Sequence, residues 1–169
     1  LPKDVSALTV FSRSQDVSTP LLDSLLPSNE RHLQSLLELV EKHDRRPVLL
    51  MGLAFKPGTD DLRGSAMLEL AAGLLLRGYE VRIFDPLVSP QQLIGANERF
   101  ARLRLPDLAS ILTDNLPDAL KSSEVVVVSK KCASRGEIEP HLTQNHRVID
   151  VNGWEEIASF SQNYEGFCW

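Results

Sequence analysis

A lysine and an arginine, Lys56 and Arg63, stand in the stretch GLAFKPGTDDLRGS (52–65) with Asp60 and Asp61 between them. The apolar run PVLLM precedes this stretch and the helix-like AMLELAAGLLLRG follows it. Two cations at this spacing, on a loop punctuated by Gly52, Pro57 and Gly58, suit a phosphorylated or carboxylated ligand held by side chains. The first amides of the following helix, near Ser65, can face the same anion. The known backbone cradles are excluded: Lys56 precedes Gly58, against the P-loop order, and no Gly-x-Gly-x-x-Gly occurs at this turn. The same residues fit equally well a solvated loop in which Asp60 or Asp61 pairs with Arg63 for little energy.

Two further positions carry candidate chemistry. Asp85 closes RIFDP, where dinucleotide-binding folds keep the acid that bonds a ribose. A turn-initiating aspartate before Pro86 explains it at least as well. Cys132 follows VVVVS, at a strand end where a nucleophile can stand, and Lys130 and Lys131 would lower its pKa. No histidine follows at a suggestive position, and lone cysteines more often only pack. Cys132 and Cys168 make no disulfide framework, and four scattered histidines make no zinc site, so no metal is expected. A phospho-acceptor domain would need its acid after a third strand, whereas Asp85 follows the second.

Short apolar runs alternating with helical patterns position these residues. PVLLM, YEVRIFD, EVVVVS and RVIDV read as strands, and the β-branched run Val125 to Val128 as one covered on both faces. A helix from about Ser65 to Arg77 is closed by Gly78, and a helical stretch is expected near Pro90 to Ala96. The pattern predicts an α/β fold, a Rossmann-like parallel sheet with flanking helices, covering residues 47–169. In such a sheet the loop after the first strand is the usual contributor to a ligand site. Before it, residues 1–46 form a helical segment in which Leu22, Leu25, Leu26, Leu33, Leu36, Leu37 and Val40 recur at helical steps. Pro27 predicts a kink near Leu26 or a fresh helix start. The tail EEIASFSQNYEGFCW has no readable pattern.

Composition excludes several classes. A net charge of -5 without a basic cluster argues against a nucleic-acid groove. No apolar run approaches the roughly 20 residues that cross a bilayer, and no signal pattern opens the chain, so a cytoplasmic protein is expected. With 169 residues, 43% of them hydrophobic, one domain with an extension is expected. A start at Leu1 rather than Met predicts a piece of something longer.

LPKDVSALT, GLAFKPGTDDLRGS, RGYEVRIFDP, SSEVVVVS and VIDVNG, in that order from Leu1 to Gly153, resemble the carboxyl-terminal portion of the nucleotide-sugar 6-dehydrogenases, the UDP-glucose and GDP-mannose dehydrogenase family. The signature FKPGTDDLR is specific to it. HDRRPVLLMGLAFKPGTDDLR and the ending CW resemble its GDP-mannose branch, which implies GDP-mannose as ligand and a role in alginate precursor synthesis. A UDP-glucose enzyme and a non-catalytic sugar-nucleotide-binding module are the alternatives. In this family an amino-terminal Rossmann domain binds NAD; two NAD molecules in succession take hydride from the sugar C6, while a cysteine holds the intermediate as a thiohemiacetal and then a thioester that water hydrolyses to the acid. Leu1 corresponds to the residue after that cysteine, so the resemblance implies that nucleophile and NAD fold lie outside this chain and that the chain alone is inactive.

Carried over by position, Lys3 and Arg63 are implied to bind NAD and Lys56 the sugar nucleotide. Asp4 is implied as an auxiliary catalytic acid beside the nucleophile. Asp60 and Asp61 are expected to orient Arg63 and bend the loop. Gly64 stands where many members have Glu. The helix around Ser28 to Lys42 resembles the interdomain and dimer helix, which implies a homodimer and contact with the missing amino-terminal domain; a helix packed on its own domain fits nearly as well.

Overall fold

The computed structural model describes residues 2–167; Cys168 and the CW ending lie outside the described residues. Five parallel strands, β1 (Val48–Met51), β2 (Val81–Phe84), β3 (Val125–Val128), β4 (Arg147–Asp150) and β5 (Tyr164–Gly166), form one sheet in the order β2-β1-β3-β4-β5. The chain leaves β1 towards one edge and returns on the other side as β3, so the topological switch lies between these two strands.

Alternation along each strand builds two cores. Val48, Leu50, Val125, Val127 and Ile149 face a cluster completed by helices α2 (Pro20–Glu41), α3 (Ala66–Leu76) and α4 (Gly95–Arg104). Leu49, Met51, Val126, Val128 and Val148 face the other, under α6 (Leu116–Lys121), α7 (Arg135–Ile138) and α8 (Glu155–Phe160). All four residues of β1 are fully buried, as a strand covered on both faces requires. A short helix, α5 (Leu108–Ile111), precedes α6.

Helix α1 (Pro2–Ser14) packs on α2, and the second half of α2 belongs to the first core through Leu36, Leu37, Leu39 and Val40. Its approach to α3 is close, since a Cβ on Gly73 would lie 3.2 Å from both methyl groups of Leu37. Helix α2 runs through Pro27 without restarting, which corrects the fresh start considered there. Pro20 occupies the first turn instead, where a missing N–H costs nothing. The buried residues of α2 all follow Pro27, so packing of that half offsets the hydrogen bond the proline forfeits.

Ser65 caps α3 by accepting the Leu68 N–H at 3.2 Å, and Gly78 (φ +80°) ends the turn after it, as its position predicts. The helical stretch expected at Pro90 to Ala96 is displaced: residues 90–92 form turns and the helix starts at Gly95. Its apolar anchors, Phe100, Ala101 and Leu105, fall late, so packing favours the later start. The tail that lacked a pattern forms α8 and the edge strand β5. Asp150, fully buried, holds this region by accepting the N–H groups of Asn152, Gly153 and Trp154 and the Tyr164 hydroxyl.

Candidate functional site

Register aligns the strand tips. Met51 pairs with Phe84 on one side and Val128 on the other, so Gly52, Asp85 and Ser129 emerge side by side. Gly52 (φ +92°) has no room for a side chain: a Cβ would lie 2.7 Å from the Ser129 Oγ and 2.9 Å from the Lys130 Cβ. Ser129 Oγ donates towards the carbonyls of Met51, at 3.1 Å, and Gly52, at 2.9 Å.

Asp85 ties the loops together. Its Oδ2 accepts the N–H groups of Leu53 (2.7 Å) and Ala54 (3.1 Å) and the Lys130 ammonium (3.0 Å), while Oδ1 accepts the Leu87 N–H at 3.2 Å. Burial pushes the Asp85 carboxyl up, but the Leu53 and Ala54 amides and Lys130 outweigh it, and its pKa lies below the ordinary value. The carboxylate is a loop anchor rather than a ribose acid, and its turn bond to Leu87 fits the turn-initiating reading.

The loop 52–65 closes on itself through the Phe55 N–H to the Asp61 carbonyl at 2.7 Å. Leu62 is fully buried and Ser65 nearly so, the Ser65 hydroxyl donating to the Leu53 carbonyl. Asp61 grips Arg63 with both oxygens: Oδ1 accepts Nε, Oδ2 accepts Nη2, each at 2.8 Å, and Oδ1 also accepts the Arg63 N–H at 3.1 Å. The Arg63 guanidinium holds the Asp61 carboxyl down at about 2. Both side chains are about one-third exposed, so the fork fixes geometry more than it adds stability. It engages Nε and Nη2, which leaves Nη1 to a ligand.

Lys56 is exposed and forms no ion pair among the described residues; its ammonium lies 5.5 Å from the Phe55 ring centroid. Asn97, on the first turn of α4, is a loop partner that sequence reasoning missed. Its Oδ1 accepts the Leu62 N–H at 2.9 Å and its Nδ2 donates to the Asp60 carbonyl at 3.0 Å. Nothing local marks it, since both partners are 35 or more positions away.

Lys3, Asp4, Phe55, Lys56, Asp61 and Arg63 line one cleft of about 440 Å³, to which α1 contributes Lys3 and Asp4. A second cleft of about 320 Å³ opens at the ends of β1, β3 and β4, between Ser65, Lys130, Asn152 and the Phe167–His32 ring pair (centroids 4.7 Å apart). Phe55, Pro57 and Gly64 line both, so the loop is the ridge between them. A third cleft, of about 520 Å³ beside Phe84 and Asp114, is lined by no lysine or arginine among the described residues.

Cys132 does not behave as expected. Burial, then the negative field of Asp85, pushes its thiol up to about 12 against a partial opposing effect of Lys130. Lys130 is engaged by Asp85 and Lys131 by Glu156 at 2.6 Å, and the lowering by Lys130 does not offset burial and Asp85. The described residues contain no group of three or more His, Cys, Asp or Glu able to hold a metal, and none of their helices is long and apolar enough to cross a membrane.

A doubly wound parallel sheet with a loop bearing Lys56 and Arg63 at its switch point defines a domain of the α/β class, in which ligands bind at the carboxyl ends of the strands. The chain belongs to the UDP-glucose/GDP-mannose dehydrogenase family, whose UDP binding domain matches residues 49–160. It is 39% identical to the GDP-mannose 6-dehydrogenase of Pseudomonas putida over the whole chain and 39% of that enzyme. The structure of a ternary complex of GDP-mannose dehydrogenase from Pseudomonas aeruginosa superposes with a TM-score of 0.82 at 36% identity, covering 100% of this chain and 38% of that one. A UDP-glucose dehydrogenase from Pyrobaculum islandicum gives 0.72 at 28%, covering 99% and 37%. The chain thus spans less than two-fifths of the length of these relatives and corresponds to their carboxyl-terminal part.

Proposed function

We propose that this chain is the sugar-nucleotide-binding, carboxyl-terminal part of an NAD-dependent GDP-mannose 6-dehydrogenase, an enzyme that makes GDP-mannuronate, the alginate precursor, in the cytoplasm. The observation that carries this reading is the gathering of Lys3, Asp4, Lys56 and Arg63, from two separate segments, on one cleft. In it Lys56 meets the sugar nucleotide, Lys3 and Arg63 meet NAD, and Asp4 assists the catalytic centre supplied by the missing amino-terminal domain.

The residues present fit NAD. A guanidinium fixed by Asp61 with Nη1 uncommitted, beside the exposed Lys3, offers donors of the kind that anionic oxygens accept. Bound NAD would supply the hydride acceptor. The protein's part on this side is to orient ligands: Lys56 on an untethered arc and Arg63 on a clamped one address two ligands independently. Alone, the chain positions without a nucleophile and is inactive.

Residues 1–46 form the segment that joins the amino-terminal domain and a second copy, and 47–169 the sugar-nucleotide domain. Supporting this are Leu8, Val10, Phe11 and Leu21 on α1 and the start of α2, each more than half exposed. The test is steady-state kinetics on the full-length protein. Lys56→Ala should raise KM for GDP-mannose, and Arg63→Ala should raise KM for NAD more than for the sugar. Unchanged KM and kcat in Lys56→Ala, or an equal loss for both ligands in Arg63→Ala, would overturn the assignment. Titration calorimetry with GDP-mannose and UDP-glucose decides the nucleotide.

A further inference from the structure

We propose that Asn97 is a positioning residue for the Arg63 side of the cleft, a reading that rests on the proposed function above. The loop 52–65 has two arcs with different support. Residues 56–58 make no hydrogen bond to the rest of the molecule among the described residues, and Gly58 has open space around it. Residues 60–62 are instead held by Asn97, whose amide meets an N–H with its oxygen and a carbonyl with its nitrogen, one acceptor and one donor matched to two backbone groups.

The support is rigid because of where Asn97 stands. Helix α4 is anchored in the core by Ala101 and Leu105, 3% and 2% exposed, and tied to α3 by Arg104 Nε on Glu69 Oε1 at 3.3 Å. The clamp therefore transmits the position of α4 to Leu62, and through the adjoining backbone to the Asp61 fork that aims Arg63. Lys56 sits inside the Phe55–Asp61 closure and is reached from this support only through the Phe55 N–H on the Asp61 carbonyl, with no bond of its own to the supported arc among the described residues. Asn97 touches neither ligand and acts through another residue, so its removal should unbalance the two ligands rather than abolish the site.

The experiment uses the full-length protein with Asn97→Ala and Asn97→Asp, the second keeping an acceptor for the Leu62 N–H while losing the donor to Asp60. Asn97→Ala should raise KM for NAD about fivefold, the factor for one ordinary hydrogen bond, and leave KM for GDP-mannose within about twofold. Amide exchange at Leu62 should accelerate at least about fivefold. Asn97→Asp should retain Leu62 protection and recover most of the NAD affinity. A general loss of folded protein lowers the active fraction without shifting one KM against the other. Equal changes in the two KM values, or unchanged exchange at Leu62, would overturn the proposal. Arg63→Ala measured alongside separates the two readings. If that variant spares NAD, the cofactor role of Arg63 fails, and with it the ligand part of this proposal. Exchange at Leu62 then still reports whether Asn97 holds the arc.

Discussion

Replacing Asp85 by alanine removes a side chain that joins the loops after β1, β2 and β3. Asp85 is 4% exposed, and its carboxylate accepts four hydrogen bonds, three of them on Oδ2. Its loss leaves the Leu53 and Ala54 amides without their acceptor and an ammonium on Lys130, whose side chain is 11% exposed, without a counter-charge. An unsatisfied buried donor costs about 1–3 kcal/mol and a broken buried ion pair about 3–5 kcal/mol. These overlap rather than add, so we expect about 4 kcal/mol in urea denaturation of the 169-residue chain followed by circular dichroism. At about 2–4 °C per kcal/mol, the melting temperature falls by about 8–16 °C. The native pKa of Asp85 lies below its unfolded value, so its contribution is complete above the unfolded value. That contribution is lost as pH falls through the native one. The gap between wild type and variant should stay constant from about pH 5 upward and narrow below about pH 4. A loss under about 1 kcal/mol, or a gap that widens in acid, would refute the reasoning.

Gly52→Ala forces a methyl group to within 2.7 Å of Ser129 Oγ and 2.9 Å of Lys130 Cβ at φ +92°, and should cost about 2–3 kcal/mol, read as a lowered urea midpoint with unchanged slope. Cys132, with its thiol pushed up to about 12, should react with iodoacetamide at pH 8 about a thousandfold more slowly than a free thiol. Residue-resolved mass spectrometry measures this, and a rate near that of free cysteine would return Cys132 to the candidate nucleophiles. If the proposed roles hold, the Lys56→Ala and Arg63→Ala pair should divide the cleft between sugar nucleotide and cofactor in the KM values set out above.

What the sequence revealed divides by distance along the chain. The β-branched run Val125 to Val128 is a buried strand because its own residues require it, and Gly78 stops α3 through its own backbone freedom. The loop 52–65 was located by the strand before it and the helix after it, both local signals. Asp61 and Arg63 were legible as a pair because two positions separate them. Asp85 looked like a turn because its nearest partner, Leu87, is local, whereas its strongest bonds reach 31 to 45 positions away. Asn97 was silent for the same reason. The short α8 and the three-residue β5 have too little period to read; Asp150 braces them from outside, gathering the amides of Asn152, Gly153 and Trp154 ahead of α8 and the Tyr164 hydroxyl on β5.

The untethered arc from Lys56 to Gly58 has a use in engineering. Side chains at Lys56 and Pro57 can be exchanged at constant length without asking the sheet or α3 to adapt, whereas Gly58, at φ +72°, is best kept. Under the proposed role of Lys56, a cassette library at these two positions would probe sugar-nucleotide preference with folding yield largely decoupled from selection.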